Sequence, residues 1–189
     1  MGGFGLMLHV RRAGLYYRVA DPGWDDPLNG DYSRRHGGRW NAPGSFPVVY
    51  LNRDLVTARA YVRRKFGGLP YGPELLRTER APVLVSTNVP GDDYVDALSA
   101  EGCRDLGLPV SYPLDADGNL VSWTACQPVG QRAWDGGEPG IACRSAARPG
   151  GTEELAYFSR PAARSLVISD RQPFATWFWP DRTRKGRQR

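Results

Sequence analysis

Arg39 stands in the run Gly37-Gly38-Arg39-Trp40-Asn41-Ala42-Pro43-Gly44. A guanidinium mounted behind two glycines suits a site that grips an anion. Its planar fork donates parallel N–H bonds to phosphate or carboxylate oxygens. The glycines permit close backbone approaches that a side chain would forbid. Arg18 closes the run Leu15-Tyr16-Tyr17-Arg18, Tyr50 lies in Val48-Val49-Tyr50-Leu51, and Ser145 follows Gly140-Ile141-Ala142-Cys143-Arg144. Taken singly, each has a plainer reading: a salt bridge for Arg18, a core aromatic for Tyr50, a turn or cap for Ser145.

The elements that must position these residues are short. Aromatic and β-branched content predicts strands at 15–20, 48–51, 82–89, 140–143, 154–158 and 165–169. Leu55, Ala58 and Val62 repeat at helical spacing, so a helix is expected over 52–66, capped by Asn52 or Asp54 and ended by Gly67-Gly68. A second helix is expected over Trp123–Trp134, capped by Ser122 or Thr124, with Pro128 accommodated if the helix begins late. Residues 93–100 read as a short helix, 74–78 as one helical turn, and 21–35 as a polar loop. The pattern is α+β: one domain of short mixed or antiparallel strands with a few helices.

Composition narrows the classes. Hydrophobic residues make up 41% and charged residues 24% of the 189 positions, the range of a globular chain with a single core. The formal charge of +5 suits anionic partners, but Arg182, Arg184, Lys185, Arg187 and Arg189 concentrate much of it in a basic tail that reads as solvated and disordered. Cys103, Cys126 and Cys143 form no CxxC pair and no cluster with His9 or His36, so neither a metal site nor a disulfide framework is expected, and reduced cytoplasmic thiols are the simplest reading. No secretory leader or membrane span is expected. The G-x-S-x-G, Walker, GxGxxG and HExxH signatures are missing.

The order Tyr17-Arg18, then Gly37-Gly38-Arg39-Trp40-Asn41, then Val49-Tyr50-Leu51 resembles the RES domain, a family named for an Arg, a Glu and a Ser. Trp123-Thr-Ala-Cys-Gln127-Pro-Val-Gly130-Gln-Arg-Ala-Trp134 resembles the helix before the family's serine segment, and Gly140 to Ser145 resembles that segment itself. The resemblance implies residues 1–14 as an extension, 15–180 as the domain and 181–189 as the tail. It implies a fold similar to ADP-ribosyltransferase toxins, and a bacterial toxin that degrades NAD by phosphorolysis or hydrolysis. By position Arg18, Arg39, Tyr50 and Ser145 become the candidate catalytic and NAD-binding residues. The family glutamate, expected in the helix after the strand tyrosine, falls by count on Tyr61, which joins the catalytic candidates as a ring or hydroxyl. Implied partners are NAD, inorganic phosphate as a co-substrate, and an Xre-type antitoxin protein. Nucleic acid would be met only through that antitoxin, no membrane is implied, and a homodimer stays open. Cleaving the nicotinamide–ribose bond builds positive charge on the ribose, which a carboxylate stabilises. With Tyr61 at the family position, two alternatives stand beside the leading one: transfer of ADP-ribose to protein or nucleic acid, and an NAD-binding module without chemistry.

Overall fold

The run at 15–20 is the C-terminal half of a longer strand, β1 (His9–Ala20). The computed structural model describes residues 7–148, 152–161, 163 and 165–179. The expected basic tail and residues 1–6 lie outside them. After β1 come α1 (Asp31–His36), β2 (Val48–Asn52), α2 (Leu55–Lys65), β3 (Val83–Ala97), α3 (Ala100–Asp105), α4 (Trp123–Asp135), β4 (Gly140–Arg144), β5 (Glu153–Phe158), β6 (Ile168–Gln172) and α5 (Phe174–Trp177). Short 3-10 turns at Pro73–Leu75 and Thr78–Arg80 replace the single helical turn expected at 74–78.

The strands form one mixed sheet in the order β1-β2-β5-β4-β3-β6. Only β3 and β4 run parallel; the other pairings are antiparallel. Because β1 also pairs with β3, five strands close into a ring and β6 attaches outside it. The α+β class read from the sequence is the observed one.

Closure makes the inner strands apolar on both faces. Val49 and Leu51 of β2 join Leu155 and Tyr157 of β5 in one core, with Tyr16, Val85 and Tyr94. The alternate residues Val48, Ala156 and Phe158 enter a second core beneath α4, with Trp40, Cys126 and Val129. A third packs Ala58 and Val62 of α2 against Leu84, Phe174, Trp177 and Phe178. Period-two alternation serves two cores at once, which is why these strands read as continuous apolar runs.

Long-range pairing overturns three local readings. Residues 93–97 continue β3 instead of starting a helix, because β1 pairs with them from His9↔Val95 to Arg12↔Asp92. The helix starts later, as α3, where the Ser99 hydroxyl accepts from Gly102 N at 2.9 Å. The polar stretch 21–35 holds α1, which buries only Ser33 and so shows no apolar periodicity. The last strand lies at 168–172, shifted from 165–169, and nearly all of it is exposed. For α2, Asp54 is the cap, accepting from Thr57 N at 2.7 Å. Helix α4 begins at Trp123 with Ser122 as cap, so Pro128 sits in its interior.

Gly130 fixes where α4 sits. A Cβ there would lie 1.7 Å from the Trp40 carbonyl oxygen, so the helix backbone rests directly on the Gly37–Asn41 loop. Gly130→Ala must push the helix away. Overpacking of this kind costs about 1–3 kcal/mol, and at this length each kcal/mol moves the melting midpoint by about 2–4 °C. Calorimetry should show the drop, and an unchanged midpoint would mean that α4 is not held there.

Candidate functional site

The loop between α1 and β2 is tied into a rigid cradle. Gly38 N donates to Asn41 O at 2.8 Å. The Asn41 amide donates to Ser33 O at 2.8 Å and to Phe46 O at 3.0 Å. The Tyr50 hydroxyl donates to Asn41 Oδ1 at 2.7 Å and accepts from Trp40 N at 2.9 Å. Tyr50 packs so closely that a Cβ on residue 38 would lie 2.4 Å from its oxygen, which is why glycine stands there. From α4, Gln127 Nε2 donates to Gly38 O at 3.0 Å.

The cradle holds Arg39, which is 8% exposed. Its Nη1 donates to Val121 O at 2.7 Å and lies 3.9 Å from Cys126 Sγ. Among the described residues no carboxylate lies within ion-pair distance of it. Its remaining N–H donors meet no protein acceptor there. Tyr112, wholly buried and with its ring 5.7 Å from that of Trp40, finds no oxygen or nitrogen partner for its hydroxyl among the described residues and lies beside the Cys126 thiol.

Ser145 follows β4 and is fully buried. Its hydroxyl accepts from Ala147 N at 3.1 Å and Arg148 N at 3.3 Å, and donates to Glu154 Oε1. Glu154 sits on β5 directly opposite both Asn52 of β2 and Cys143 of β4. Sheet parity therefore puts it on the same face as Tyr50. Burial pushes the Glu154 carboxyl above the usual carboxylate range, against the pull of the Ser145 hydroxyl and the charges of Arg39 and Arg64. Arg64 of α2 reaches the same turn, donating from Nη1 to Ala146 O at 2.7 Å. The sequence reading made 154–158 a strand and passed over this carboxylate. No local signal marked it: Glu153 and Glu154 stand side by side at the start of the strand, and only the pairing register shows which of them shares a face with Tyr50.

Arg18 and Tyr61 form a neighbouring group. Arg18 is 5% exposed. Its Nη1 donates to Asn29 O at 3.2 Å, and its guanidinium lies 5.2 Å from the Trp24 ring centroid. Desolvation lowers it to about 10, opposed by Tyr61 and Asp26. Again, among the described residues, no carboxylate is within ion-pair distance. Tyr61 is 38% exposed, with the Lys65 ammonium 5.0 Å from its ring. So Arg39, Tyr50 and Ser145 converge in one cluster with Glu154, and Arg18 and Tyr61 in another. Helix α2 joins them, giving Tyr61 to one and Arg64 to the other. Cys126 and Cys143 are buried and free, and the described residues hold no His/Cys/Asp/Glu group suited to a metal ion.

Two buried guanidiniums, Arg18 and Arg39, thus stand in an α+β ring without a carboxylate in ion-pair contact among the described residues, the second near the serine-bound carboxylate of Glu154. The chain belongs to the RES domain family, whose model matches residues 15–177. NAD(+) phosphorylase MbcT of Mycobacterium bovis and of Mycobacterium tuberculosis is 31% identical over 109 residues, 58% of this chain and 55% of theirs. The match thus spans about half the length of these curated relatives. The crystal structure of the M. tuberculosis MbcT–MbcA toxin–antitoxin complex shares the fold, with a TM-score of 0.67 at 24% identity over 87% of this chain and 86% of that one.

Proposed function

We propose that this chain degrades NAD by transferring its ADP-ribose part to inorganic phosphate, releasing nicotinamide, as the toxin of a pair neutralised by an Xre-type antitoxin. The observation that carries the proposal is the state of Arg18 and Arg39. A buried cation without a partner is destabilising, so its retention calls for a ligand that supplies the anion. NAD brings a pyrophosphate and the co-substrate brings a further phosphate. In this reading Arg18 and Arg39 hold the two anions and bring the nucleophile to the ribose, which is how positioning accelerates a two-substrate reaction. The relatives named NAD(+) phosphorylase support the same reaction, and the relative solved with MbcA supports a protein antitoxin. No described helix is long and apolar enough to cross a membrane, and a cytoplasmic setting gives access to NAD and phosphate together.

The test is direct. Purified protein free of any antitoxin is incubated with NAD, with and without phosphate, and nicotinamide and the ribose product are followed. Phosphate-dependent release with an ADP-ribose phosphate product is expected. Equal release without phosphate would make water the acceptor, and no release from folded protein would end the proposal.

A further inference from the structure

Tyr61 offers no carboxylate, so the positive ribose of the proposed reaction must be met by another group. We infer that Glu154, on β5, is the catalytic carboxylate of this chain, facing the ribose from the Arg39–Ser145 cluster. The inference rests on the NAD-cleaving reading above and adds the residue that does the electrostatic work.

The other nearby acids are committed elsewhere. Asp54 caps α2, accepting from Thr57 N at 2.7 Å and Thr57 Oγ1 at 2.9 Å. Glu153 takes Arg12 Nε at 2.9 Å and the Tyr16 hydroxyl at 2.5 Å. Asp96 takes the Ser99 hydroxyl at 2.6 Å. Asp26, near Arg18, is exposed and accepts from Leu28 N at 2.9 Å. Glu154 alone among these feels Arg39, Tyr50 and Tyr112, and it shares its strand level with Cys143. Ser145 holds its Oε1 by a neutral donor. No cation sits in direct contact with it among the described residues, so its charge is oriented but not quenched.

The step balances without proton transfer to protein. The bond between ribose C1′ and the nicotinamide nitrogen breaks, its electron pair leaving with neutral nicotinamide. A phosphate oxygen forms the new bond to C1′. Glu154 forms no bond; its negative charge stabilises the oxocarbenium between the two events. Activity then requires the ionised carboxyl. Its raised titration predicts a kcat that falls as pH drops through a point above the ordinary glutamate range. The groups around it stay fixed there: burial keeps the Tyr50 and Tyr112 hydroxyls and the Cys143 thiol protonated, and the guanidiniums of Arg39 and Arg64 stay charged.

Glu154→Gln keeps the shape and an acceptor for Ser145 while removing the charge. Expected are a fall in kcat of about 10²–10³-fold, little change in the affinity for NAD by calorimetry, and loss of the acidic limb of the kcat profile. Adding Tyr61→Glu to this variant should restore part of the rate by returning a carboxylate from α2. If Glu154→Gln unfolds, the wild-type kcat profile still decides: an absent limb overturns the assignment. So does a folded Glu154→Gln at wild-type rate, or loss of NAD binding with no separate loss of kcat, or an Asp26→Asn variant that takes over the whole effect. A wild-type protein that releases no nicotinamide overturns the NAD-cleaving reading itself, and this assignment with it.

Discussion

Arg39→Lys is expected to lower kcat/KM for NAD by about 10²–10³-fold without unfolding the protein. Lysine keeps the positive charge and can still reach the Val121 carbonyl, which Arg39 now holds at 2.7 Å. What it removes is the second, parallel edge of the guanidinium, which meets no acceptor among the described residues. A point-charge ammonium cannot replace that bidentate geometry. The cradle around the position does not depend on the side chain, because Asn41, Tyr50 and Gln127 bind backbone groups and one another. Near-ultraviolet circular dichroism should therefore stay native while steady-state kinetics collapse. Varying NAD and phosphate separately shows which anion the lost edge holds, as a rise in that substrate's KM. A variant with wild-type kinetics would remove the glycine-arginine loop from the site.

That loop was the most legible part of the molecule, for a physical reason. Two glycines beside an arginine and a following buried strand are local facts, and the hydrogen bonds that rigidify the turn are made within residues 33–50. Ser145 was singled out only through the likeness of its segment to the family's serine segment, and its partner was not singled out at all. Glu154 is brought to it by the β4–β5 pairing, and nothing in a run of glutamate, leucine and alanine tells an outward surface carboxylate from an inward one until register is known. Counting along α2 finds Tyr61 because a helix is a local ruler. It cannot find a carboxylate that arrives from another strand.

The misread segments follow the same rule. Asp92 and Asp93 look like a helix start when only neighbours are considered, yet pairing with Arg11 and Arg12 of β1 keeps that stretch extended. Local propensity is a weak prior where β1 offers β3 a run of eleven cross-strand partners. Helix α1 and strand β6 were missed or displaced because neither buries an apolar face, and periodicity reports burial, not structure.

Arg18→Met is expected to abolish turnover and yet leave the melting midpoint unchanged or raised by a few degrees. Burial lowers Arg18 from the ordinary guanidinium range to about 10. A base whose folded pKa is depressed is charged more readily in the unfolded chain. The folded state therefore carries the full penalty below about pH 10, and the penalty fades only as pH rises from there toward the unfolded value. At pH 7 it is on the order of 3 kcal/mol. Against this, the native side chain gains one hydrogen bond to Asn29 O and a contact with the Trp24 ring, each worth about 1 kcal/mol. Methionine fills the volume with a flexible apolar chain and removes the penalty together with those gains. The balance favours the variant or is near zero, whereas a residue kept for the fold would leave a large deficit. Calorimetry and nicotinamide release on the same preparation separate the two. A midpoint lowered by several degrees with turnover retained would make Arg18 a structural strut. A stable, inactive Arg18→Met would mean that the fold tolerates an unfavourable buried charge because the ligand completes it, which is the trade between stability and activity expected of a binding residue.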